Sequence, residues 1–410
     1  MPLVLRWVGE EDFDRVAETR MLSYASAGNL MQRYQEGLRK DRRAKPGDFL
    51  LAERNGEAVG TSTSLSLTMW IRGAAVPCQG VAYVGTIKTA RRLGGEEPGV
   101  ATQLMHETLR EARRRQQAVS ALMPFRASYY EHFGYGNSEH RTQWTIPLSI
   151  LPRGETAGFR FYRTGDLSRL MEMRQRECMA NQCDIETDPA AWEFWCSHWS
   201  EGLVVVDEPT PGGPIRSLLY FGEERGKEKA TLQVWDWSAD SPESLRRIFH
   251  FLATLKDQYS EVRIDLPGDF PLNRMLRESQ IPHRQVDHPF AIAKPYTRMQ
   301  MRVLDHRRVL EAMAMPQTIK GKCALVVRES EGHASQFTID ISEGRITVSP
   351  STHTADVEIS DVLWASLISG DLSASAMMNL GLLPSSTRPE IVRLLDSFSI
   401  GPRPFCQEYF

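Results

Sequence analysis

Residues 90–104 read ARRLGGEEPGVATQL. Arg91, Arg92, Gly94, Gly95 and Gly99 stand just before a helical stripe formed by Ala101, Leu104, Met105, Thr108 and Ala112. The strand-like VAYVGTIK (81–88) precedes them. A strand, a glycine-bearing loop and a helix start form an anion site, because first-turn amides lack intrahelical acceptors and the helix dipole adds to their field. Glycine lets a phosphate approach the backbone closely. The spacing is neither GxxxxGK[ST] nor GxGxxG, which excludes a Walker loop and a dinucleotide fold. Glu96 and Glu97 complicate the picture. Carboxylates near a helix N-terminus gain about 0.3–1 kcal/mol with no ligand at all, so they fit either a cap beside the anion or a replacement for it.

Working outward, residues 1–150 alternate strand and helix signals. Phe13, Val16, Ala17 and Tyr24 have helical spacing, and Asn55-Gly56 marks a tight hairpin between two strands. Residues 151–295 repeat the plan more weakly, with strands GLVVVDE, ATLQVWDW and VRIDLPGDF. The intervening helix SADSPESLRRIFHFLATLKDQ has Ser241 as N-cap and Pro242 at its first position. Residues 296–410 turn to CALVVRE, FTIDISEGRITVS and TADVEIS, followed by helices parted at Gly370. The expected architecture is α/β (α+β): two mixed-sheet domains, then a smaller α+β domain. The sequence closes on PFCQEYF, and Phe405, Tyr409 and Phe410 predict a buried tail.

A chain of 410 residues exceeds one hydrophobic core, in keeping with two or three domains. Net charge is 49 − 52 = −3, so no global basic field draws it to nucleic acid or anionic membrane. No apolar run reaches the roughly 18 residues that span a bilayer. The first residues break into charge too early for a signal peptide, so a cytoplasmic location is expected. Six scattered cysteines suit reduced thiols. Cys178, Cys183, Cys196 and His198 match no usual zinc spacing, and no metal is expected.

The loop at 90–101 resembles the acyl-CoA pyrophosphate loop of the GNAT acetyltransferases, R/Q-x-x-G-x-G/A opening a helix. Gly99-Val100-Ala101 supplies its second half, and SYYEHFGYG (128–136) resembles the family's aromatic segment near the thioester. Where the family carries Arg or Gln, this chain has Glu96. Arg91 and Arg92 lie further upstream, as though LGGEE had been lengthened. In one reading the loop bulges and an arginine still reaches the pyrophosphate. In the other the glutamates occupy the anion site.

The order of a GNAT domain (1–150), a degenerate GNAT-like domain (151–295) and a sterol-carrier-protein-like domain (296–410) resembles the Eis (enhanced intracellular survival) acetyltransferases across the whole chain. Its pieces are YEHFGYG, WDWSADSPESLRRIFHFLATL, MRVLDHRRVLEAM, GDLSASAMMNLGLL and the aromatic C-terminus. The central domain has Ser-Ala-Asp-Ser-Pro where a CoA loop needs glycine.

This resemblance implies an acetyl-CoA-dependent N-acetyltransferase acting on a primary amine through a direct ternary complex, with a homo-oligomer as the assembled form. It assigns Tyr130 as general acid, with Tyr129 as the local alternative. The carboxylate of Phe410 becomes proton acceptor. Thr86, Ile87, Arg91, Arg92, Gly94, Gly95, Gly99, Val100 and Ala101 hold the cofactor, Ile87 through its backbone. The acceptor side falls on 24–38, whose only acid is Glu36, so the amine is left open between aminoglycoside-like polyamines and lysine side chains. His106 and His132 are weaker base candidates, and RKDRRAK (39–45) reads as a solvated basic loop. The competing class is a catalytically silent scaffold or apolar-ligand carrier with a defective CoA site.

Overall fold

After β1 (Val4–Val8) come the helices α1 (Phe13–Tyr24) and α2 (Met31–Lys40). β2 (Phe49–Arg54) and β3 (Glu57–Ile71) then join at Asn55-Gly56, where both residues take positive φ, 56° and 80°. That is the two-residue hairpin favoured by Asn-Gly. The computed structural model describes residues 2–24, 31–40, 43–91, 98–199, 202–224, 230–278, 290–351 and 353–410.

β4 (Ala74–Thr86) leads to α3 (Val100–Arg114), β5 (Val119–Leu122), α4 (Ala127–Glu131) and β6 (Gly136–Pro147). Of the expected stripe of α3, Leu104, Met105, Thr108 and Ala112 are buried and Ala101 is half-buried. The second unit contains β7 (Phe159–Phe161), α5 (Leu167–Ala180), β8 (Asp184–Ile185), α6 (Pro189–His198), β9 (Leu203–Asp207), β10 (Ser217–Glu223), β11 (Thr231–Ala239), α7 (Pro242–Thr254) and β12 (Glu261–Pro267). Ser241 caps α7 by accepting from the Ser244 amide, with Pro242 in the first turn.

Among the described residues these strands and β13 (Ile292–Val303) make one mixed sheet, ordered β1-β2-β3-β4-β5-β13-β6-β12-β11-β10-β9-β7, with β8 paired to β3. β13 pairs with β6 through Ile292–Met301, with register shifts on either side of Met299, and with β5 through Gln300–Val303. The boundary expected at 295/296 therefore falls inside a strand. The segment expected to open the third domain instead fills the gap between β5 and β6, because Met299, Met301 and Val303 are buried there.

α8 (His306–Ala312) leads into a separate four-stranded sheet of β14 (Gly321–Arg328), β15 (Ala334–Ser342), β16 (Arg345–Pro350) and β17 (Val357–Ser360), ordered β16-β15-β14-β17. α9 (Asp361–Ser369), α10 (Ala374–Asn379) and α11 (Pro389–Asp396) cover it, and Gly370 ends α9 at φ 81°. One apolar cluster runs from Met69 and Cys78 of the large sheet through Met301 to Trp364 and Phe398. The C-terminal unit is thus packed against the first unit's sheet.

Candidate active site

The site begins where two parallel strands part. β5 pairs with β4 only over Cys78–Val81, while β4 runs on to Thr86. Between Thr61↔Gly85 and Thr63↔Ala82 the register slips by one residue, and Tyr83 takes a positive φ of 52°. This β-bulge bends β4 away from β5. α3 closes the top of the opening. A Cβ on Gly60 would lie 2.7 Å from Val100 Cγ1, so glycine there lets the first turn of α3 sit directly on β3.

Gly99 is the N-cap of α3 and has no side chain to offer, and the first turn, Val100–Gln103, contains no acid. The amides of that turn are the orphan donors of any helix start. Beside them the Thr86 hydroxyl is buried with no partner among the described residues. Free amides, a glycine cap and an orphaned hydroxyl suit the diphosphate and pantetheine of an acyl-CoA. Arg92, Gly94, Gly95, Glu96 and Glu97 lie outside the described residues. Arg91 donates to the carbonyls of Ser23 (3.3 Å) and Thr86 (3.4 Å), tying the end of β4 to α1. Ile87 donates its amide to Val59 O at 3.0 Å, so this amide is already used in the sheet.

Tyr130 comes from α4, on the far side of the opening. It is 5% exposed and packs with Val81, Met105, Leu109 and Leu122. Tyr129, Phe125 and Tyr135 surround its ring at centroid distances of 5.0, 5.7 and 6.2 Å. Burial raises the phenol well above its usual value near 10, and the nearby Tyr24, Tyr129 and Tyr135 hydroxyls push the same way. Tyr24, the last residue of α1 and the first of the segment expected on the acceptor side, thus joins this group. The Tyr129 hydroxyl is buried near Thr102 without a well-formed hydrogen bond. His106 packs edge-on against Phe133 at 5.3 Å, and His132 is exposed with Nδ1 at 2.7 Å from Ser128 O.

The opposite face of β4 meets the C-terminal tail. A Cβ on Gly80 would stand 3.0 Å from Phe410 Cδ2. Neighbouring strand residues face opposite sides, and Val81 packs with Tyr130, so Tyr130 and Phe410 reach β4 from its two faces at the point where β5 departs. The tail is held firmly. Phe405 N donates to Gln182 O at 3.0 Å, and Gln407 N donates to Asp184 Oδ1 at 2.9 Å. Glu408 accepts from Arg43 (2.8 Å), Thr187 (2.8 Å) and Trp195 (3.2 Å). Burial pushes the Glu408 carboxyl up, against the opposing charges of Arg43 and Arg174. Two expectations need correcting. Tyr409 is 57% exposed, whereas Phe405 and Phe410 are buried. Arg43, read as part of a solvated loop, is buried because the tail supplies its acceptors.

A cavity of about 410 Å³ lies behind the tail, bounded by Glu408 and Tyr409, by tryptophans of α6 and by β11. A larger cleft of about 610 Å³ opens at the other end of α3. Arg113, Arg307 and Arg308 line it, but each bonds protein acceptors: Glu331, Glu311 with Val348 O, and Gln116 O respectively. Neither Tyr130 nor Phe410 borders that cleft. Among the described residues no group of three His, Cys, Asp or Glu side chains is placed to hold a metal, and no helix is long and apolar enough to cross a membrane.

Residues 5–138 and 183–303 each match a family described as an acetyltransferase (GNAT) domain. An uncharacterized N-acetyltransferase of Streptomyces avermitilis is 23% identical over 393 residues, covering 89% of each chain. Two crystal structures share the fold over the whole of both chains. One is a GCN5-related N-acetyltransferase from Anabaena variabilis (TM-score 0.83, 17% identity) and the other is Eis1 from Mycobacterium abscessus (TM-score 0.80, 18% identity). The GNAT fold uses an acyl-CoA as group donor. With both matches on one chain, the protein is an N-acetyltransferase built on two tandem GNAT domains.

Proposed function

We propose that the first GNAT unit transfers an acetyl group from acetyl-CoA to a primary amine in a direct ternary complex. The observation that carries this reading is the pairing of Tyr130 and Phe410 on opposite faces of β4 where β5 parts from it. Acetyl-CoA enters on the α3 face. Its diphosphate takes the amides of Gly99, Val100 and Ala101, and the pantetheine arm runs past Thr86. Because Arg91 is held by two carbonyls, the grip rests mainly on the backbone.

The amine approaches from the opposite face and must lose a proton to become nucleophilic. The α-carboxylate of Phe410 accepts that proton, directly or through water. A carboxylate whose usual pKa is about 3.5 takes the proton as the amine attacks, when the nitrogen turns strongly acidic. The amine attacks the thioester carbon, the intermediate collapses, and Tyr130 donates its proton to the departing thiolate. A phenol kept protonated by burial suits that task.

The second GNAT unit does not take part in cofactor binding in this reading. Its α7 start is occupied by its own residues: Ser241 caps Ser244 N, and Ser244 Oγ donates to Asp240 at 2.8 Å. The C-terminal unit is read as a sterol-carrier-like module in a supporting role, and the assembled protein as a homo-oligomer whose size light scattering would measure.

The test is an acetyl-CoA titration by calorimetry, followed by a thiol-release assay with a panel of amines. The full-length protein should bind acetyl-CoA and release thiol only when an amine is present. A variant with one residue added after Phe410 should still bind acetyl-CoA but release none. No binding at millimolar acetyl-CoA, or full activity in the extended protein, overturns the reading.

A further inference from the structure

Residues 181–188 of the second GNAT unit join α5 to α6 and include β8. Three of them take hold of the tail in chain order. Phe405 N donates to Gln182 O at 3.0 Å, Gln407 N donates to Asp184 Oδ1 at 2.9 Å, and Thr187 donates its hydroxyl to Glu408 Oε2 at 2.8 Å. Cys406, between the first two, is held by the first unit, its N donating to Glu139 Oε1 at 3.2 Å. Residues 405–410 belong to no helix or strand, so their buried amides need partners from elsewhere.

The segment is bent where it meets the tail. Cys183 takes a positive φ of 55°, an uncommon conformation for a residue with a Cβ. Before it, Gln182 forms a parallel bridge with Pro404; after it, Asp184 and Ile185 pair with Trp70 and Met69 of β3. The backbone of Asp184 is thereby committed to the first unit's sheet, and its side chain is what reaches Gln407. The Gln182 side chain ties the bend to the other two units. Its Oε1 accepts from Arg72 N and its Nε2 donates to Ser369 O, both at 2.8 Å.

Asp184 is fully enclosed, and its carboxylate is gripped from several sides. Arg174 gives it two bonds of 2.7 Å, Asn181 one of 3.1 Å and the Ile185 amide one of 2.9 Å. A buried ion pair contributes little net stability, because desolvation offsets the attraction. What Arg174 and Asp184 do supply is a rigid, charged acceptor, and a charge-assisted bond is roughly twice as strong as a neutral one. That acceptor meets the tail three residues before Phe410, whose ring lies against Gly80.

We infer that the second GNAT unit is the frame that positions the proton acceptor. Asp184 is a positioning residue for acetyl transfer, with Gln182 and Thr187 beside it. This rests on the role given above to the Phe410 carboxylate, and it adds a task for a unit which that reading leaves without one. Misplacing a reacting group by about 1 Å can cost about 10²-fold in rate, so slack at Gln407 reaches the chemistry three residues on.

The test compares three variants with wild type. Asp184→Ala removes the anchor. Thr187→Val removes one hydroxyl and keeps the shape, so it carries the test if the first variant does not fold. Ser241→Ala, whose hydroxyl bonds Ser244 in the same unit, controls for lost stability alone. In thiol release with the amine that the panel selects, kcat should fall about tenfold or more in Asp184→Ala and about threefold in Thr187→Val. Acetyl-CoA affinity should be unchanged in both, and Ser241→Ala should keep the wild-type kcat. Carboxypeptidase A, applied to the native proteins, should release Phe410 faster from both tail variants than from wild type or Ser241→Ala; this arm needs no amine. Wild-type kcat in both tail variants, or release of Phe410 as slow as in wild type, overturns the inference. The protein extended after Phe410 separates the two readings. If extension abolishes thiol release while the tail variants keep wild-type kcat, acetyl transfer through Phe410 stands and the frame falls. If the extended protein is fully active, the carboxylate's role and the frame fall together.

Discussion

Gly80 and Phe410 are in contact on one face of the sheet: a Cβ built on Gly80 stands 3.0 Å from Phe410 Cδ2 and closer still to Leu67 Cδ1. Strand glycine is ordinarily a cost; here it is the space that the tail uses. Gly80→Ala should therefore displace Leu67 and Phe410 together. Overpacking of this kind costs about 1–3 kcal/mol, so a fall in Tm is expected alongside a loss of kcat larger than the loss of acetyl-CoA affinity. Equal kcat in wild type and Gly80→Ala would show that the position of Phe410 does not matter to turnover.

Tyr130→Phe removes one oxygen from a packed aromatic cluster and should keep the fold. Loss of a positioned general acid typically costs 10²–10⁴ in rate, so kcat should fall by about 10²-fold or more with acetyl-CoA affinity unchanged. The pH profile is a second readout. Burial raises the Tyr130 phenol above 10, so the proton is still present throughout the neutral and mildly alkaline range. Wild-type turnover should show no alkaline limb from this group below about pH 10. A limb near pH 8 that vanishes in Tyr130→Phe would contradict the assignment.

Much of the frame can be read from local sequence because local chemistry dictates it. Asn55-Gly56 makes its hairpin, and Ser241 and Pro242 start their helix. The stripe through Leu104, Met105 and Thr108 faces the sheet. What the sequence hides is pairing at long range. Nothing local tells MQMRV at 299–303 that it will lie between β5 and β6, since a buried strand and a domain linker of that length look alike. Arg43 is the same kind of case, because its acceptors Glu408 and Tyr409 lie more than 360 residues away. The aromatic cavity was within reach: the run of tryptophans at 192, 195 and 199 has helical spacing on its own. What it lacked was the second wall, which β11 and the tail supply only after folding.

Ser241→Ala separates the roles of the two GNAT units. The Ser241 hydroxyl accepts from Ser244 N at 3.2 Å at the start of α7. Losing an N-cap costs roughly 1 kcal/mol, so Tm should fall measurably. Acetyl-CoA affinity should not change, because the cofactor belongs to α3. A variant that weakens acetyl-CoA binding at unchanged Tm would place cofactor in the second unit.

The C-terminal unit carries a carboxylate whose ionisation helps hold it together. Burial alone would raise Glu329, yet its hydrogen bond with His306, the charge of Arg302 and the Ser335 hydroxyl outweigh that and bring it down to about 2. The geometry is specific. Trp364 donates its indole N–H to His306 Nδ1 at 3.0 Å, which leaves Nε2 to donate to Glu329 at 2.8 Å. A carboxylate with a folded pKa below its unfolded value near 4.5 stabilises the protein above pH 4.5, and that contribution is lost as pH falls from 4.5 toward 2. Glu329→Gln should lower Tm at pH 7, and the gap from wild type should shrink as the pH drops through that window. Differential scanning calorimetry of both proteins at several pH values measures the gap, and a gap that stays constant or widens toward low pH would show that the carboxylate is not stabilising in its ionised form.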